Sequence, residues 1–231
     1  MSRDHCVLIH GFTGNPAEVL PLAEALEKRE YDVTVPLLPG HNHTKDRMRK
    51  VTASEWIDAV AGVIEESHSS QRLHLVGFSM GAMIAVLMTM RYNVSTLVLL
   101  SPAVYTITPN VIATRTRKTI QLIQQNPELL KRRFHNNMTS IRATPLYNVF
   151  QFQKIVREAR KVVCQLDLPI CIIHGLEDEI VDPASARWIY ETVLSTQKEI
   201  HLLTSSGHLV CHDGQADVLI QTVTQFLDKH S

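Results

Sequence analysis

The sequence predicts an α/β fold built on a doubly wound, mostly parallel sheet of six strands. Short apolar runs alternate along the chain with longer segments of helical length, which is the pattern of βαβ units. Most of the runs are continuous valine, isoleucine and leucine, as expected for strands buried on both faces of a parallel sheet. The predicted strands are Cys6–Ile9, Asp32–Val35, Leu73–Val76, Thr96–Leu100, Ile170–Ile173 and Glu199–Leu203.

Signals for helix starts agree with this alternation. Asn15 offers an N-cap, and Pro16 follows it at the first helical position, where a missing N–H does no harm. The Asp-Pro pair at 182–183 repeats the arrangement. Ser54 is predicted to cap a helix that begins at Glu55. Each of these starts follows a predicted strand, as a crossover between parallel strands requires.

The segment from residue 101 to about residue 168 interrupts the alternation, because it contains no convincing strand. Residues 111–134 and 146–163 both have the periodicity of amphipathic helices. A connection of more than sixty residues is too long for a simple loop. We therefore predict one α/β domain over residues 1–231, with a small helical cap inserted at about 102–168, between the fourth and fifth strands.

Composition is that of a globular protein, but charge is unevenly distributed. Hydrophobic residues make up 45% of the chain, the formal net charge is zero and the pI is about 7.2, so neither disorder nor nucleic-acid binding is indicated. Residues 102–165 nevertheless carry 11 Lys and Arg against 2 Asp and Glu. This excess of positive charge indicates one of two things. The residues lie on solvated helix faces, or they form a basic cap that attracts anionic substrates or an anionic surface.

The cysteines and the apolar runs indicate a cytoplasmic protein. The four cysteines form no Cys-x-x-Cys pair and no dense framework, which favours a reducing compartment. The first residues include no apolar run long enough for a signal peptide, and no stretch approaches the roughly 20 apolar residues of a membrane span. We expect no integral membrane segment, and the oligomeric state is left open between monomer and dimer.

A Gly-x-Ser-x-Gly motif occupies residues 77–81, directly after a predicted buried strand and directly before a helical run at 82–90. A serine nucleophile must project beyond the sheet, so the chain has to turn sharply from strand to helix. Glycines at the two ends of the motif avoid side chains that would collide in such a turn. The N-terminus of the following helix favours negative charge. The motif therefore predicts Ser79 as a nucleophile.

The loop directly after the first predicted strand reads His-Gly-Phe-Thr-Gly at residues 10–14. Attack of serine on an ester carbonyl produces a tetrahedral oxyanion, which two backbone N–H groups can stabilise. One donor is the residue after the nucleophile, here Met80, and the other belongs to the loop after the first strand, here Phe12. His10 is predicted to brace this loop rather than to transfer a proton.

An acid and a base are expected after the last two strands. His208 follows the sixth strand and is predicted as the general base, because an unperturbed histidine titrates near neutrality; nearby His212 is its competitor. Of the acids after the fifth strand, Asp182 is better explained as a helix N-cap. The residues alone do not choose among the candidates, which are Glu177, Asp178, Glu179 and Asp182.

These motifs resemble those of the compact bacterial carboxylesterases and monoacylglycerol-lipase-like esterases of the α/β-hydrolase superfamily. The matches are HGFTGN at 10–15, PLLPGH at 36–41, GFSMG at 77–81, Gly-x-x-Asp-x-x-Val at 175–181 and SGH at 206–208. They span nearly the whole chain, and the order serine, acid, histidine is that of the superfamily. If the strands run 2-1-3-4-5-6, the loops at 10–14 and 77–81 flank one crevice.

The resemblance implies an α/β-hydrolase fold with a reduced N-terminus and a serine-dependent carboxylesterase activity. It implies Ser79 as nucleophile, Asp178 as the acid and His208 as the base, with Phe12 and Met80 as oxyanion donors. The implied substrates are small-molecule esters with short- or medium-chain acyl groups, or monoacylglycerols. No cofactor and no metal is implied.

Three alternatives accompany this prediction. The same residues would also serve a hydrolase of thioesters, lactones or amides. The chain would instead be a ligand receptor if it kept the pocket but not the turnover. The Gly-His-Asn-His run at 40–43 offers two histidines to a metal, but two ligands are few, and a structural loop is favoured.

Overall fold

The computed structural model describes residues 4–41, 50–66, 72–106 and 146–230. The strands in these ranges form one wholly parallel six-stranded sheet in the order β2-β1-β3-β4-β5-β6, as predicted. The strands are β1 (His5–Ile9), β2 (Asp32–Thr34), β3 (Leu73–Phe78), β4 (Thr96–Leu100), β5 (Ile170–Gly175) and β6 (Lys198–Leu203).

Six α-helices lie in the described part of the chain. They are α1 (Leu20–Glu27), α2 (Ala53–Glu66), α3 (Met80–Met88), α4 (Leu146–Val162), α5 (Ala184–Thr192) and α6 (Ala216–Lys229). Short 3₁₀ turns precede α1 at Pro16–Glu18 and follow α4 at Val163–Gln165. None of the described helices combines the length and the hydropathy that a bilayer-spanning segment requires.

Hydrophobic layers cover both faces of the sheet. One layer packs α2, α3, α4 and α5 against one face, with Trp56 and Met83 fully buried in it. The other packs α1 and α6 against the opposite face, around Leu22 and Phe226. Side chains of β1 alternate between the layers, but both sides are apolar, which explains the continuous hydrophobic runs of the sequence. Each such buried side chain contributes about 1.5–3 kcal/mol to folding.

Two of the three predicted helix caps agree with the structure. The Asn15 side chain accepts from Ala17 N at 2.9 Å, and Asp182 does the same for the start of α5. The predicted cap at Ser54 is wrong, because α2 begins at Ala53 and Thr52 precedes it. Glu55 Oε2 accepts from the backbone N–H of Thr52 at 2.8 Å, and Thr52 Oγ1 accepts from Glu55 N. This reciprocal pair is a capping box whose N-cap, Thr52, lies two residues earlier than the predicted Ser54.

Part of the predicted helical cap can be compared with the structure. The predicted helix at 146–163 forms as α4, and its residues Phe152, Ile155 and Val156 are buried in the same layer as α2 and α3. The buried side chain of Gln151 accepts from Ala53 N at 3.0 Å and joins α4 to the start of α2. The predicted helix at 111–134 and most of the basic excess lie outside the described residues, so the domain boundaries stay a prediction.

Candidate active site

Ser79 stands at a sharp turn between β3 and α3. Its backbone has φ 55° and ψ −112°, and such a conformation costs about 1–3 kcal/mol for a residue with a side chain. Close packing holds the turn in place. A side-chain carbon at Gly81 would lie 2.2 Å from the carbonyl oxygen of Ile9, so α3 begins closer to β1 than any residue but glycine allows. The serine therefore lies beyond the carboxyl end of β3.

Ser79, His208 and Asp178 form a continuous chain of polar contacts, although they are far apart in the sequence. Ser79 Oγ lies 3.1 Å from His208 Nε2. The other ring nitrogen, Nδ1, lies 2.8 Å from Asp178 Oδ2. With its proton on Nδ1, facing the carboxylate, the ring turns the lone pair of Nε2 toward the serine hydroxyl. All three residues are buried, at 6%, 7% and 1% exposure in that order.

The electrostatic environment favours an ionised Asp178 and a basic His208. Burial alone would raise the pKa of Asp178, but the charge of His208 and a hydrogen bond from His174 hold it well below its ordinary value. Burial alone would lower the pKa of His208, but the carboxylates of Asp178, Glu179 and Glu18 outweigh burial and raise it.

The loop that carries His208 is attached to the ends of two strands. Ser101, directly after β4, donates from Oγ to the His208 carbonyl oxygen at 3.2 Å. Its φ is 44°, so its backbone also lies in a disfavoured region. The Phe78 ring, at the end of β3, lies 5.0 Å from the imidazole of His208, measured between ring centroids. These contacts fix the backbone and the ring face of His208.

The loop after β1 is held on both sides of the Phe12 N–H. Gly11 N donates to Glu18 Oε2 at 2.9 Å, and Thr13 N donates to His41 Nε2 at 3.2 Å. Thr13 has φ 63°, so the loop is strained as well as tied. Met80 is the first residue of α3, where a helix leaves its N–H groups without intrahelical partners. The predicted donors Phe12 and Met80 thus lie at the ends of adjacent strands, β1 and β3.

His10 braces this loop, as predicted. Its Nε2 accepts from Leu38 N at 3.1 Å, so its Nδ1 carries the proton and donates to the Gly11 carbonyl oxygen at 2.9 Å. Burial lowers the pKa of His10 to about 4, which keeps the ring neutral. The run at 40–43 is structural in its described part, because His41 accepts from Thr13 and donates to the Pro39 carbonyl oxygen; His43 lies outside the described residues.

Aromatic rings line one side of Phe12. The Phe152 ring of α4 stacks on it with centroids 5.0 Å apart and planes 14° apart. Trp56 of α2 approaches edge-on at 5.8 Å and donates from Nε1 to the Pro39 carbonyl oxygen. An apolar wall therefore stands beside the predicted oxyanion donor.

The competing candidates from the sequence lie elsewhere. His212 is exposed, and its Nε2 lies 2.7 Å from the Ala17 carbonyl oxygen. Glu177 is exposed, and Asp182 caps the start of α5. Glu179 is partly exposed and acts on His208 through its charge. Of the acids after β5, Asp178 is the one in contact with the His208 ring.

Sequence reasoning assigned no role to three polar residues that the structure places around the site. His174, on β5, has Nε2 3.1 Å from Asp178 Oδ2. Glu18 binds the loop after β1, and Ser101 binds the backbone of His208. His174 had a visible signal, because a buried strand that otherwise reads Ile-Cys-Ile-Ile contains a histidine next to the acid-bearing loop.

One cluster among the described residues offers three metal-ligating atoms within 4.8 Å of one another, from Cys171, Glu199 and His201. The cluster lies on β5 and β6, away from Ser79. Lys229 Nζ already pairs with Glu199 at 3.3 Å, and burial raises the pKa of the Cys171 thiol well above its ordinary value. Both effects compete with the binding of a metal ion.

A family model described as serine aminopeptidase, S33, a hydrolase family, matches residues 1–215. The chain belongs to this family. The match covers every strand of the sheet, and it contains Ser79, Asp178 and His208.

Similar proteins include two from Bacillus. The chain is 26% identical over 239 residues to the thermostable monoacylglycerol lipase of Bacillus sp. (strain H-257), covering 97% of this chain and 90% of that protein. It is 23% identical over 229 residues to a carboxylesterase of Bacillus subtilis (strain 168), covering 96% and 92%. A structure from work on two metagenome-derived lipolytic enzymes, LipS and LipT, superposes with a TM-score of 0.80 at 24% identity, covering 99% of this chain and 95% of the other.

Proposed function

We propose that this protein is a serine hydrolase that cleaves carboxylic esters of small molecules through an acyl-enzyme. Its substrates are short- to medium-chain acyl esters or monoacylglycerols. The observation that carries the proposal is the run of contacts from Ser79 Oγ through His208 to Asp178, at 3.1 and 2.8 Å. A nucleophile, a general base and an orienting acid need this arrangement. Membership of a hydrolase family supports it independently.

Acylation begins at the Ser79 hydroxyl. His208 Nε2 takes the hydroxyl proton as Oγ attacks the ester carbonyl carbon, and Asp178 stabilises the imidazolium that forms. The tetrahedral intermediate then collapses, the bond from carbon to the alcohol oxygen breaks, and His208 returns the proton to the departing alcohol. Water deprotonated by His208 next attacks the acyl-enzyme. The carboxylic acid leaves, and the Ser79 hydroxyl is restored.

The developing oxyanion is bound by the N–H groups of Phe12 and Met80. Donors that are already in place stabilise charge without reorganising during the reaction, and loss of one such donor costs about 10²–10³-fold in rate. The ties from Gly11 to Glu18 and from Thr13 to His41 support this role, because they hold the backbone on either side of Phe12.

The aromatic wall supports an apolar acyl group. The partly exposed Phe12 presents ring surface next to the oxyanion donor, where the substrate's carbonyl has to lie, and the buried rings of Phe152 and Trp56 pack against it. The names of the two Bacillus relatives, a monoacylglycerol lipase and a carboxylesterase, support esters of fatty acids as the substrate class.

Amide cleavage next to a free amino group is the second candidate. The description of the matching family as a serine aminopeptidase favours it. The two candidates differ in their leaving group, so one enzyme preparation assayed on p-nitrophenyl acyl esters and on aminoacyl p-nitroanilides separates them. The proposal expects the esters to be preferred in kcat/KM, and a preference for the anilides would reverse the assignment.

The proposal is tested with a matched pair of histidine variants and a serine variant. Ser79→Ala and His208→Gln are expected to lose about 10⁶-fold in kcat on a p-nitrophenyl ester, because nucleophile and base act as one unit. His212→Gln is the control and keeps its activity, since its imidazole contacts the Ala17 carbonyl. Near-complete activity in Ser79→Ala would refute the proposal. Binding of esters by a wild type that does not turn them over would indicate a receptor.

We also propose that the protein works in the cytoplasm. The four cysteines are free thiols, and three of them are buried in the core: Cys6, Cys171 and Cys211. Free buried thiols are typical of reducing compartments.

A further inference from the structure

A second histidine, besides His208, contacts the candidate acid. His174 is the next-to-last residue of β5 and is fully buried. Its Nε2 lies 3.1 Å from Asp178 Oδ2, the same oxygen that faces His208 Nδ1 at 2.8 Å. One carboxylate oxygen is therefore shared by two imidazoles that come from different strand ends.

The surroundings of His174 define its tautomer. Nε2 has two acceptors in reach, Asp178 Oδ2 at 3.1 Å and the Val181 carbonyl oxygen at 3.4 Å. A ring nitrogen between acceptors carries the proton. The other nitrogen, Nδ1, has no hydrogen-bond partner among the described residues, so a lone pair fits there better than an N–H. His174 is then a donor through Nε2 toward the Asp178 carboxylate.

The Asp178 carboxylate is held at both oxygens. Oδ1 accepts from Ile180 N and Val181 N, each at 2.8 Å. Oδ2 contacts both His174 and His208. His174 therefore restrains the oxygen that faces His208 Nδ1, which helps the carboxylate to direct the His208 ring.

The end of β5 is a rigid support for this contact. A side-chain carbon at Gly175, next to His174, would lie 2.3 Å from the Ser206 carbonyl oxygen, so β5 and the loop that carries His208 are in close backbone contact. Glu177 N also donates to Ser206 O at 2.9 Å. A residue on such a strand end holds its partners more accurately than a loop residue does.

We propose that His174 is a positioning residue for Asp178, donating from Nε2 to Oδ2 so that the carboxylate directs His208 toward Ser79. This inference rests on the proposed ester hydrolysis. An apolar side chain would fill the same place in a strand of isoleucine and cysteine, and a buried imidazole is costly unless it is hydrogen-bonded. The contacts of Nε2 with Asp178 Oδ2 and with the Val181 carbonyl oxygen account for a histidine here.

The test compares His174→Gln with His174→Leu. Glutamine places an amide N–H close to the position of Nε2, whereas leucine fills the volume without a donor. We expect His174→Leu to lower kcat on a p-nitrophenyl ester roughly 10- to 100-fold, the worth of a hydrogen bond to a charged group, with KM little changed. His174→Gln recovers most of the loss. Active sites are counted with a fluorophosphonate, so that kcat refers to folded enzyme.

His74→Leu is the matched control. His74 is also a fully buried strand histidine beside an aspartate, but it lies near the amino end of β3, whereas Ser79 follows the carboxyl end of that strand. The His74→Leu variant is expected to be less stable than the wild type but to keep the wild-type kcat per active site counted with the fluorophosphonate. Wild-type kcat in His174→Leu overturns the inference, and so does a His174→Gln variant as impaired as His174→Leu. Failure of the proposed function is a different result, in which wild-type ester turnover does not depend on Ser79.

A measurement on the wild type covers the case in which His174→Leu does not fold. Nitrogen-15 chemical shifts of the histidine rings are expected to show the proton of His174 on Nε2 and a lone pair on Nδ1. Its Nε2–H resonance should shift in Asp178→Asn. A lone pair on Nε2, or a resonance unaffected by Asp178→Asn, contradicts the inference.

Discussion

At each end of the strands of this sheet a buried histidine, His208 or His74, lies beside an aspartate, and the pKa values of these two histidines shift in opposite directions. At the carboxyl edge, His208 contacts Asp178 at 2.8 Å, and the pKa of His208 is raised. At the amino edge, His74 lies 3.5 Å from Asp4, and burial lowers the pKa of His74 despite that carboxylate. An aspartate beside a histidine is therefore not enough to make a base.

The difference lies in how each carboxylate is held. The Asp178 side chain is fully buried, and two glutamates, Glu179 and Glu18, add negative charge near His208. The Asp4 side chain is 16% exposed and pairs with Arg72 at 3.2 Å, so part of its field is neutralised. His74 Nδ1 contacts Thr96 Oγ1 instead of a reacting group. A fully buried carboxylate and the negative charges of two nearby glutamates separate the candidate base from the structural histidine.

Backbone strain is more frequent at the carboxyl ends of the strands than at the amino ends. Among the described residues, four that are not glycine have positive φ angles. Thr13, Ser79 and Ser101 each lie in the loop or turn after a strand, whereas Glu30 precedes β2. Such conformations persist only where packing over-determines them, and they cluster at functional sites. Three of the four strained residues therefore lie at the same end of the sheet as His208 and Asp178.

The largest effect is expected from breaking each pair at its aspartate. Asp178→Asn should lower kcat about 10⁴-fold, because the amide no longer selects the His208 tautomer that accepts the Ser79 proton. Asp4→Asn is expected to keep kcat near the wild-type value, since His74 contacts no reacting group. Both are measured on a p-nitrophenyl ester. Equal losses of kcat in the two variants would contradict the prediction that His74 and Asp4 take no part in the reaction.

A smaller effect is expected at the loop after β1. Glu18→Ala removes the acceptor of the Gly11 N–H and should lower kcat by about 10- to 100-fold, less than complete loss of an oxyanion donor. Glu18→Gln keeps an acceptor oxygen and should recover most of the activity. Glu24→Ala, an exposed position of α1, is the matched control. If Glu18→Ala is as active as Glu24→Ala, catalysis does not depend on the hydrogen bond from Gly11 N to Glu18.

The pH dependence of kcat/KM sharpens the comparison further. His208 has to be neutral to accept the Ser79 proton, and its pKa is raised, so activity should fall on the acid side at a pH above the ordinary histidine value of about 6.5. Glu179→Gln removes one of the charges that raise this pKa, and the acid limb should move to lower pH. A limb that stays in place, or moves upward, would contradict the assigned electrostatics.

The smallest effect concerns stability at the amino edge. The folded protein disfavours protonation of His74, so the unfolded chain binds more protons and stability falls as pH drops below about 6.5. His74→Leu removes this contribution, and its free energy of unfolding should decline less steeply over the same range. Urea titrations at several pH values measure the two slopes. A steeper decline in the variant would reverse the sign assigned to His74.

Much of the fold could be predicted from the sequence, because β3, β4 and β5 are buried on both faces and read as unbroken apolar runs. The strand order 2-1-3-4-5-6 was the condition under which the loops at 10–14 and 77–81 flank one crevice, and it is the order that the structure has. The start of α2 was misplaced, because serine and threonine are both common at helix N-caps. A capping box needs a glutamate three residues after the cap, and Glu55 meets that condition for Thr52 and not for Ser54.

The residues of the candidate site that lie in sequence motifs could be predicted, and those outside motifs could not. Ser79 sits in a pattern that a strand-to-helix turn requires, whereas the residues alone left four acids open after β5. His174, Glu18 and Ser101 were assigned no role, because their contacts join segments distant in the chain or depend on the path of a loop. Hydrogen bonds of this kind leave no period and no spacing in the sequence.

Covalent labelling of Ser79 tests the central claim most directly. A fluorophosphonate reacts with a serine that a neighbouring base has activated, and peptide mass spectrometry locates the adduct. We predict one adduct per chain, on Ser79, formed rapidly in the wild type and almost absent in His208→Gln. An unlabelled wild type, an adduct on another residue, or equal labelling of His208→Gln would contradict the proposed mechanism.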